Sequence, residues 1–166
     1  MTPSQTSPYA HPGGLTLIAG PTASGKSRLA LDRARETGAV IINADSQQLY
    51  ADLRILSARP SVQDEAAAEH RLYGAADACE IWSVGRWSRA VLDLLAELGE
   101  RPALLVGGTG LYFNALTRGL ADIPPVPEAA RDDVQALFDQ EGEAAFRRLL
   151  AEHDPQAARA ITPGDR

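Results

Sequence analysis

Gly20-Pro21-Thr22-Ala23-Ser24-Gly25-Lys26-Ser27 fits the pattern G-x-x-x-x-G-K-[ST] at each fixed position. The apolar run Leu15-Thr16-Leu17-Ile18-Ala19 leads into it. A helical pattern carrying Leu29, Ala30, Leu31 and Ala34 leads out of it. Strand, glycine turn and helix, in that order, form the context in which this pattern acts as a phosphate loop. Glycines let the backbone turn sharply and approach a ligand closely. Successive N–H groups then line one concavity at the positive end of the following helix. A diphosphate or triphosphate suits that concavity, with Lys26 reaching the terminal phosphates and the Ser27 hydroxyl facing a Mg²⁺. Lys26 is also the only lysine in the chain; all other Lys/Arg positions are arginine. The competing reading is a glycine turn that joins strand to helix and binds nothing. The motif specifies phosphate and Mg²⁺, but neither the compound nor the reaction.

Outward from the loop, the first helix is expected over about 25–37, closed by Gly38, which accepts the left-handed conformation that ends helices. The β-branched run Ala39-Val40-Ile41-Ile42 reads as a buried parallel strand and completes a βαβ unit. Asn43-Ala44-Asp45-Ser46-Gln47-Gln48-Leu49-Tyr50 follows at its carboxyl end, where ligands sit in parallel α/β sheets. Asp45 is therefore expected near the bound phosphates; equally, it is expected as a simple turn cap. Residues 51–63 look irregular, 64–70 suit a short helix, and Leu72-Tyr73-Gly74 suits a brief strand or a turn.

Ser83 is a helix N-cap candidate. From Val84 to Leu98 the apolar residues fall at helical spacing, with Trp87 expected in the core. Ala103-Leu104-Leu105-Val106 reads as another buried strand. It ends in Gly107-Gly108-Thr109-Gly110 and a new helix start, so this second glycine turn is expected to face the same crevice. A proline-rich linker spans 119–127. A helical pattern over 128–159, broken near Gly142 and at Asp154-Pro155, carries Val134, Leu137, Phe138, Phe146, Leu149 and Leu150 as apolar positions. Its arginines Arg131, Arg147, Arg148 and Arg159 read individually as solvated surface. The expected fold class is α/β: a P-loop NTPase-like, nucleoside-kinase-like parallel sheet flanked by helices. The expected organisation is a disordered lead-in at 1–14 and a P-loop core over 15–166 that lacks its C-terminal part.

The 166 residues are 45% hydrophobic and 23% charged, the composition of a soluble globular chain. No apolar run has the length of a membrane span, and the N-terminus has no apolar signal core. One cysteine, Cys79, excludes an internal disulfide and suits a reducing cytoplasm. His11, His70 and His153 form no ligand spacing. The net charge of −6 weighs against a polyanionic partner, although a local arginine face can still bind one.

Four stretches together resemble the tRNA dimethylallyltransferase (tRNA isopentenyltransferase) family. They are Gly20 to Ser27; Ile42 to Tyr50; Ser83-Val84-Gly85-Arg86-Trp87; and Leu105-Val106-Gly107-Gly108-Thr109-Gly110-Leu111-Tyr112. The likeness runs from Leu15 to Arg166. It implies transfer of a dimethylallyl group from dimethylallyl diphosphate to the exocyclic N6 amine of the adenosine 3′ of a tRNA anticodon.

On that resemblance Gly20, Pro21, Thr22, Ala23, Ser24, Gly25, Lys26 and Ser27 bind the diphosphate, or ATP in other phosphate-loop enzymes. Ser27 holds Mg²⁺, and Asp45 with Lys26 carries the catalysis. Asp45, Ser46, Gln47, Gln48, Thr109 and Arg131 contact tRNA. The expected protein is cytoplasmic and monomeric, with no membrane partner.

The sequence departs from the family at Gln47 and at Ile55-Leu56-Ser57-Ala58-Arg59-Pro60. The family also continues past this end, so the chain is expected to bind a diphosphate weakly and to transfer little. The alternatives are a small-molecule or nucleoside kinase using the loop for ATP, an adenylate dimethylallyltransferase, and an inactive fragment.

Overall fold

The computed structural model describes residues 11–120, 126–162 and 164. The chain divides into two units, Met1–Ala121 and Asp122–Arg166. In the first, strands β1 (Leu15–Ala19), β2 (Val40–Asn43), β3 (His70–Arg71) and β4 (Ala103–Gly107) alternate with helices α1 (Lys26–Thr37), α2 (Val62–Ala67), α3 (Val84–Leu98) and α4 (Gly110–Arg118). The sheet order is β1-β4-β2-β3. Every pairing is parallel, with Leu17 opposite Leu105 and Ile42 opposite both Leu105 and Arg71.

Alternation along the strands divides the core between two faces. Val40, Ile42, Ala103 and Leu105 pack with Trp87, Val91, Leu94, Leu95, Leu98, Tyr112 and Leu116 of α3 and α4. Ile41, Leu104 and Val106 pack with Ala30, Leu31 and Ala34 of α1 on the other face. β2 and β4 are therefore buried on both sides, which is why they read as unbroken apolar runs. Each fully buried Ile or Leu, such as Ile42 or Leu105, contributes about 1.5–3 kcal/mol. β1 stands at the sheet edge, and Leu17 on it is 39% exposed.

Helix ends follow local chemistry. Gly38, at φ 70°, closes α1 by donating to the Ala34 carbonyl. Ser83 accepts from the Arg86 N–H at the start of α3. Ser61 and Asp64 form a reciprocal capping box on α2. The short helix thus ends at Ala67, earlier than its pattern suggests, and His70 belongs to β3 rather than to the helix. The register of β2 against β3 imposes this: Ile41 and Ile42 pair with His70 and Arg71.

Of the expected lead-in, residues 1–10 lie outside the described residues. Residues 11–14 form a turn, Gly14 N–H to the His11 carbonyl at 2.9 Å. His11 Nε2 bonds the Arg101 carbonyl at 2.7 Å. Of the proline-rich linker, 121–125 lie outside the described residues.

The second unit holds α5 (Glu128–His153) and α6 (Pro155–Ala160). Gly142, at φ 72°, breaks α5 where the pattern breaks. Phe138 and Phe146 meet edge to face at 5.4 Å across that break. The Asp154 carboxylate accepts from Gln156 and Ala157 to start α6.

Candidate functional site

β1 and β4 run parallel and adjacent, so their carboxyl ends deliver the turns at 20–25 and 107–109 to the same edge of the sheet. β2 ends beside β4, with Asn43 opposite Val106, and delivers Asp45 to that edge. The three stretches join through the backbone. Gly20 N–H donates to the Gly107 carbonyl at 3.3 Å, and Ala44 N–H donates to the Val106 carbonyl at 2.8 Å. Thr109 N–H donates to the Ala44 carbonyl at 3.2 Å.

Glycine is required at 107 by space. A Cβ there would lie 2.0 Å from the Ala44 carbonyl oxygen. At Gly108 a Cβ would lie 3.3 Å from the Gly20 carbonyl oxygen and 3.8 Å from Asp45 Oδ2. A side chain at this one position would therefore meet both the phosphate loop and the Asp45 carboxylate.

Within the phosphate loop, Ala23 (φ 63°) and Gly25 (φ 85°) adopt the left-handed conformation that turns the chain into α1. Residues 21–25 and Ser27 are exposed. Lys26 Nζ folds back to the Pro21 carbonyl at 3.1 Å, a bond that an incoming phosphate oxygen can replace. Among the described residues, no group of three or more His, Cys, Asp and Glu could hold a metal. Mg²⁺ is ordinarily held by one or two protein oxygens together with substrate phosphates and water. The exposed Ser27 hydroxyl at the start of α1 fits that mode.

Asp45 is seen in one of its two expected roles, the turn cap. Its Oδ1 accepts from Gln47 N–H at 3.0 Å and caps the turn. Its Oδ2 is the oxygen near Gly108. Thr109 Oγ1 accepts from Ser46 N–H at 3.0 Å and reaches the Ser46 hydroxyl at 3.4 Å, so it clamps the Asp45 turn. Gln48 faces away: its Nε2 donates to the Ser57 carbonyl at 2.9 Å and orders the following loop. Gln47 is exposed. Arg131 belongs to the second unit, exposed on α5, and is described there alone.

Sequence reasoning assigned no role to three residues that build this corner. Asn43 is fully buried and bonds Asp45 through its side chain. Burial, and then the Asp45 charge, push the Tyr73 phenol well above its usual range. Burial, with Tyr50 and Asp45 nearby, raises Tyr112 as well. Tyr112 stacks on Trp87 at 4.0 Å, and Trp87 Nε1 donates to the Asn43 carbonyl at 3.0 Å. The available signal was a polar residue ending an otherwise apolar strand.

No helix among the described residues is long and apolar enough to cross a membrane. Comparison with known proteins gives a consistent result. The family described as IPP transferase matches residues 48–166, and that described as Isopentenyl transferase matches residues 13–78. A tRNA dimethylallyltransferase of Phenylobacterium zucineum is 57% identical over 90% of this chain and 50% of its own length. One from a Caulobacter species is 54% identical over 92% of this chain and 50% of its own. The chain spans about half the length of the curated relatives it matches.

Among solved structures, the tRNA isopentenylpyrophosphate transferase of Bacillus halodurans superposes with a TM-score of 0.64 at 31% identity. It covers 92% of this chain and 52% of its own. A eukaryotic dimethylallyltransferase acting on tRNA shares the fold, with a TM-score of 0.77 at 23% identity, over 92% of this chain and 38% of its own.

Proposed function

The chain belongs to the IPP transferase family, and from that premise we propose that it carries the donor and base half of a dimethylallyl transfer to tRNA. The observation that supports this most directly is the meeting at Gly108. There the phosphate loop and the Asp45 carboxylate flank one small residue, close enough that a Cβ on it would meet both, at the carboxyl ends of parallel strands.

The reaction needs charge handled at two places. The allylic C–O bond of dimethylallyl diphosphate breaks, positive charge builds on the allylic carbon, and diphosphate leaves with the electron pair. The loop N–H groups and Lys26 stabilise that leaving group. Mg²⁺ held by the Ser27 hydroxyl and by diphosphate oxygens supplies further neutralising charge when bound.

The adenine N6 amine forms the new C–N bond and gives up one proton. Asp45 sits within the same corner to orient the amine and take that proton. Asp45, Ser46, Gln47, Gln48 and Thr109 contact tRNA in this reading, as does Arg131 on the second unit, and the target base leaves its stack to be reached. Gln48 Nε2 donates to the Ser57 carbonyl and Thr109 Oγ1 accepts from Ser46 N–H, so both side chains also shape the surface on which that contact would form. We assign the activity to the cytoplasm.

The test mixes the chain with labelled dimethylallyl diphosphate, Mg²⁺ and unmodified tRNA with adenosine 3′ of its anticodon. Label in tRNA, lost in Asp45→Ala, supports the reading. ATP-dependent phosphorylation of a small molecule, with no transfer, would replace it with a kinase.

A further inference from the structure

Asn43 and Ser88 are the buried polar side chains of the described residues, and Asn43 is the one with no exposure at all. Burying an amide is costly unless its hydrogen bonds are remade. Here they are remade, and their direction is informative. Oδ1 accepts from Asp45 N–H at 2.8 Å. Nδ2 donates to the Asp45 carbonyl at 2.9 Å and to the Leu72 carbonyl at 3.1 Å. The Asn43 main-chain carbonyl accepts from Trp87 Nε1. Both donor hydrogens are used, and one side chain holds Asp45 from both sides of its peptide frame.

The Leu72 bond has a second consequence. Leu72 sits at φ 62°, a left-handed conformation that is unfavourable for a residue with a branched side chain. That turn carries the chain from β3 to Tyr73, whose partly buried phenol feels the Asp45 charge. The same amide thus fixes both the carboxylate turn and the turn that presents the phenol.

Resting on the reading of Asp45 as the base, we propose that Asn43 is a positioning residue for the transfer: it holds the Asp45 turn in place through the Asp45 backbone. An apolar residue would satisfy the core at this position but would leave Asp45 N–H and two carbonyls without their partner. A role confined to packing needs none of these three bonds.

The experiment is amide hydrogen exchange on the chain and on Asn43→Val, which keeps a strand-forming apolar side chain in the core. Inorganic diphosphate affinity is measured alongside. The expected result is a loss of protection at Asp45 and Ser46 of about tenfold or more. Leu104, Leu105 and the α3 amides keep wild-type protection, and diphosphate affinity stays within about twofold. In transfer, kcat falls while KM for dimethylallyl diphosphate holds. Unchanged protection at 45–46, or equal loss across β4 and α3, overturns the proposal.

If Asn43→Val does not fold, the wild-type chain decides. Scalar couplings across hydrogen bonds from Asn43 Nδ2 to the Asp45 and Leu72 carbonyls support the proposal, and their absence sinks it. Failure of the functional reading looks different: Asp45→Ala then leaves transfer intact, or the wild-type chain binds no diphosphate, while the exchange pattern of Asn43→Val is unaffected.

Discussion

Residues 20–25 and residues 107–109 both carry glycine turns out of parallel strands, at the same edge of the sheet. The first turn is exposed from Pro21 to Gly25, and its lysine is held by one bond to the Pro21 carbonyl. The second is pressed on the Asp45 turn by the Thr109 N–H, the Thr109 hydroxyl and a glycine with no room for a Cβ. On the proposed reading of the loop as the phosphate site and Asp45 as the base, the difference separates two tasks. A phosphate brings its own charge and geometry to a loop, so the loop can wait open. A general base must already point the right way, so its turn is built into the core. Substitutions at the contacts that press the closed half on the Asp45 turn should therefore cost stability, and those in the open half, or at Gly108 where the two halves meet, should chiefly cost ligand affinity.

The largest effect expected is at Gly107. Gly107→Ala places a Cβ 2.0 Å from the Ala44 oxygen and must push β4 from β2. The expected loss is on the order of 3–5 kcal/mol, enough to unfold much of the chain in urea melts. Gly108→Ala is the internal control. Its Cβ meets the Gly20 oxygen at 3.3 Å, so stability should fall by no more than about 1 kcal/mol. Diphosphate binding should weaken instead. Equal destabilisation by both would break the comparison.

Next in size is Lys26→Ala. It removes a side chain from an exposed loop, so the urea midpoint should move by less than about 0.5 kcal/mol. Diphosphate affinity should drop about 10- to 100-fold, the range of one charge-assisted hydrogen bond. Calorimetric titration with inorganic diphosphate reads this directly. Thr109→Val should do the reverse. It strands the Ser46 N–H that the hydroxyl accepts, costing about 1–2 kcal/mol of stability. Diphosphate affinity should stay near wild type. A Thr109→Val chain with wild-type stability would show that the closed half is looser than its bonds imply.

The open half was the more legible in the sequence. A phosphate loop is local: a strand, a glycine turn and a helix within one run of chain, so the pattern at Gly20–Ser27 stated its own geometry. β1, β2, α3 and β4 were legible for the same reason, from apolar runs and the punctuation of Gly38 and Ser83. The closed half depends on residues that meet only after folding. Thr109 reaches Ser46 across 63 residues, and Asn43 reaches Leu72 across 29. No local pattern marks those pairings. β3 was missed for the same reason, since two residues pairing with β2 leave no periodicity to read. Gln48 is a tRNA contact on the family resemblance, and the sequence does not reveal that its Nε2 also holds the Ser57 carbonyl. Its commitment to Ser57 comes from the path of a loop that carries no motif.

The smallest expected effect concerns pH, and it probes the wall behind Asp45. Tyr73 and Tyr112 are both raised above the ordinary 10.0, by burial first and then by nearby groups that include Asp45. The folded chain therefore keeps these phenol protons at a pH where the unfolded chain releases them. Their contribution to stability is fully present below the unfolded value and is lost as pH rises through it toward the folded value. Urea midpoints should thus be level up to about pH 9 and decline above about pH 10. Tyr73→Phe removes the titrating group but keeps the ring against its neighbours, so the decline should become shallower while the neutral-pH midpoint stays close to wild type. Asp45→Asn should also make it shallower, by a smaller amount, because the charge is the lesser cause at Tyr73 after burial. Substitutions in the open half, Lys26→Ala among them, should leave the alkaline limb unmoved. If Lys26→Ala flattens it as much as Tyr73→Phe does, the two halves are electrostatically one site, and the division between a waiting loop and a prebuilt base does not hold.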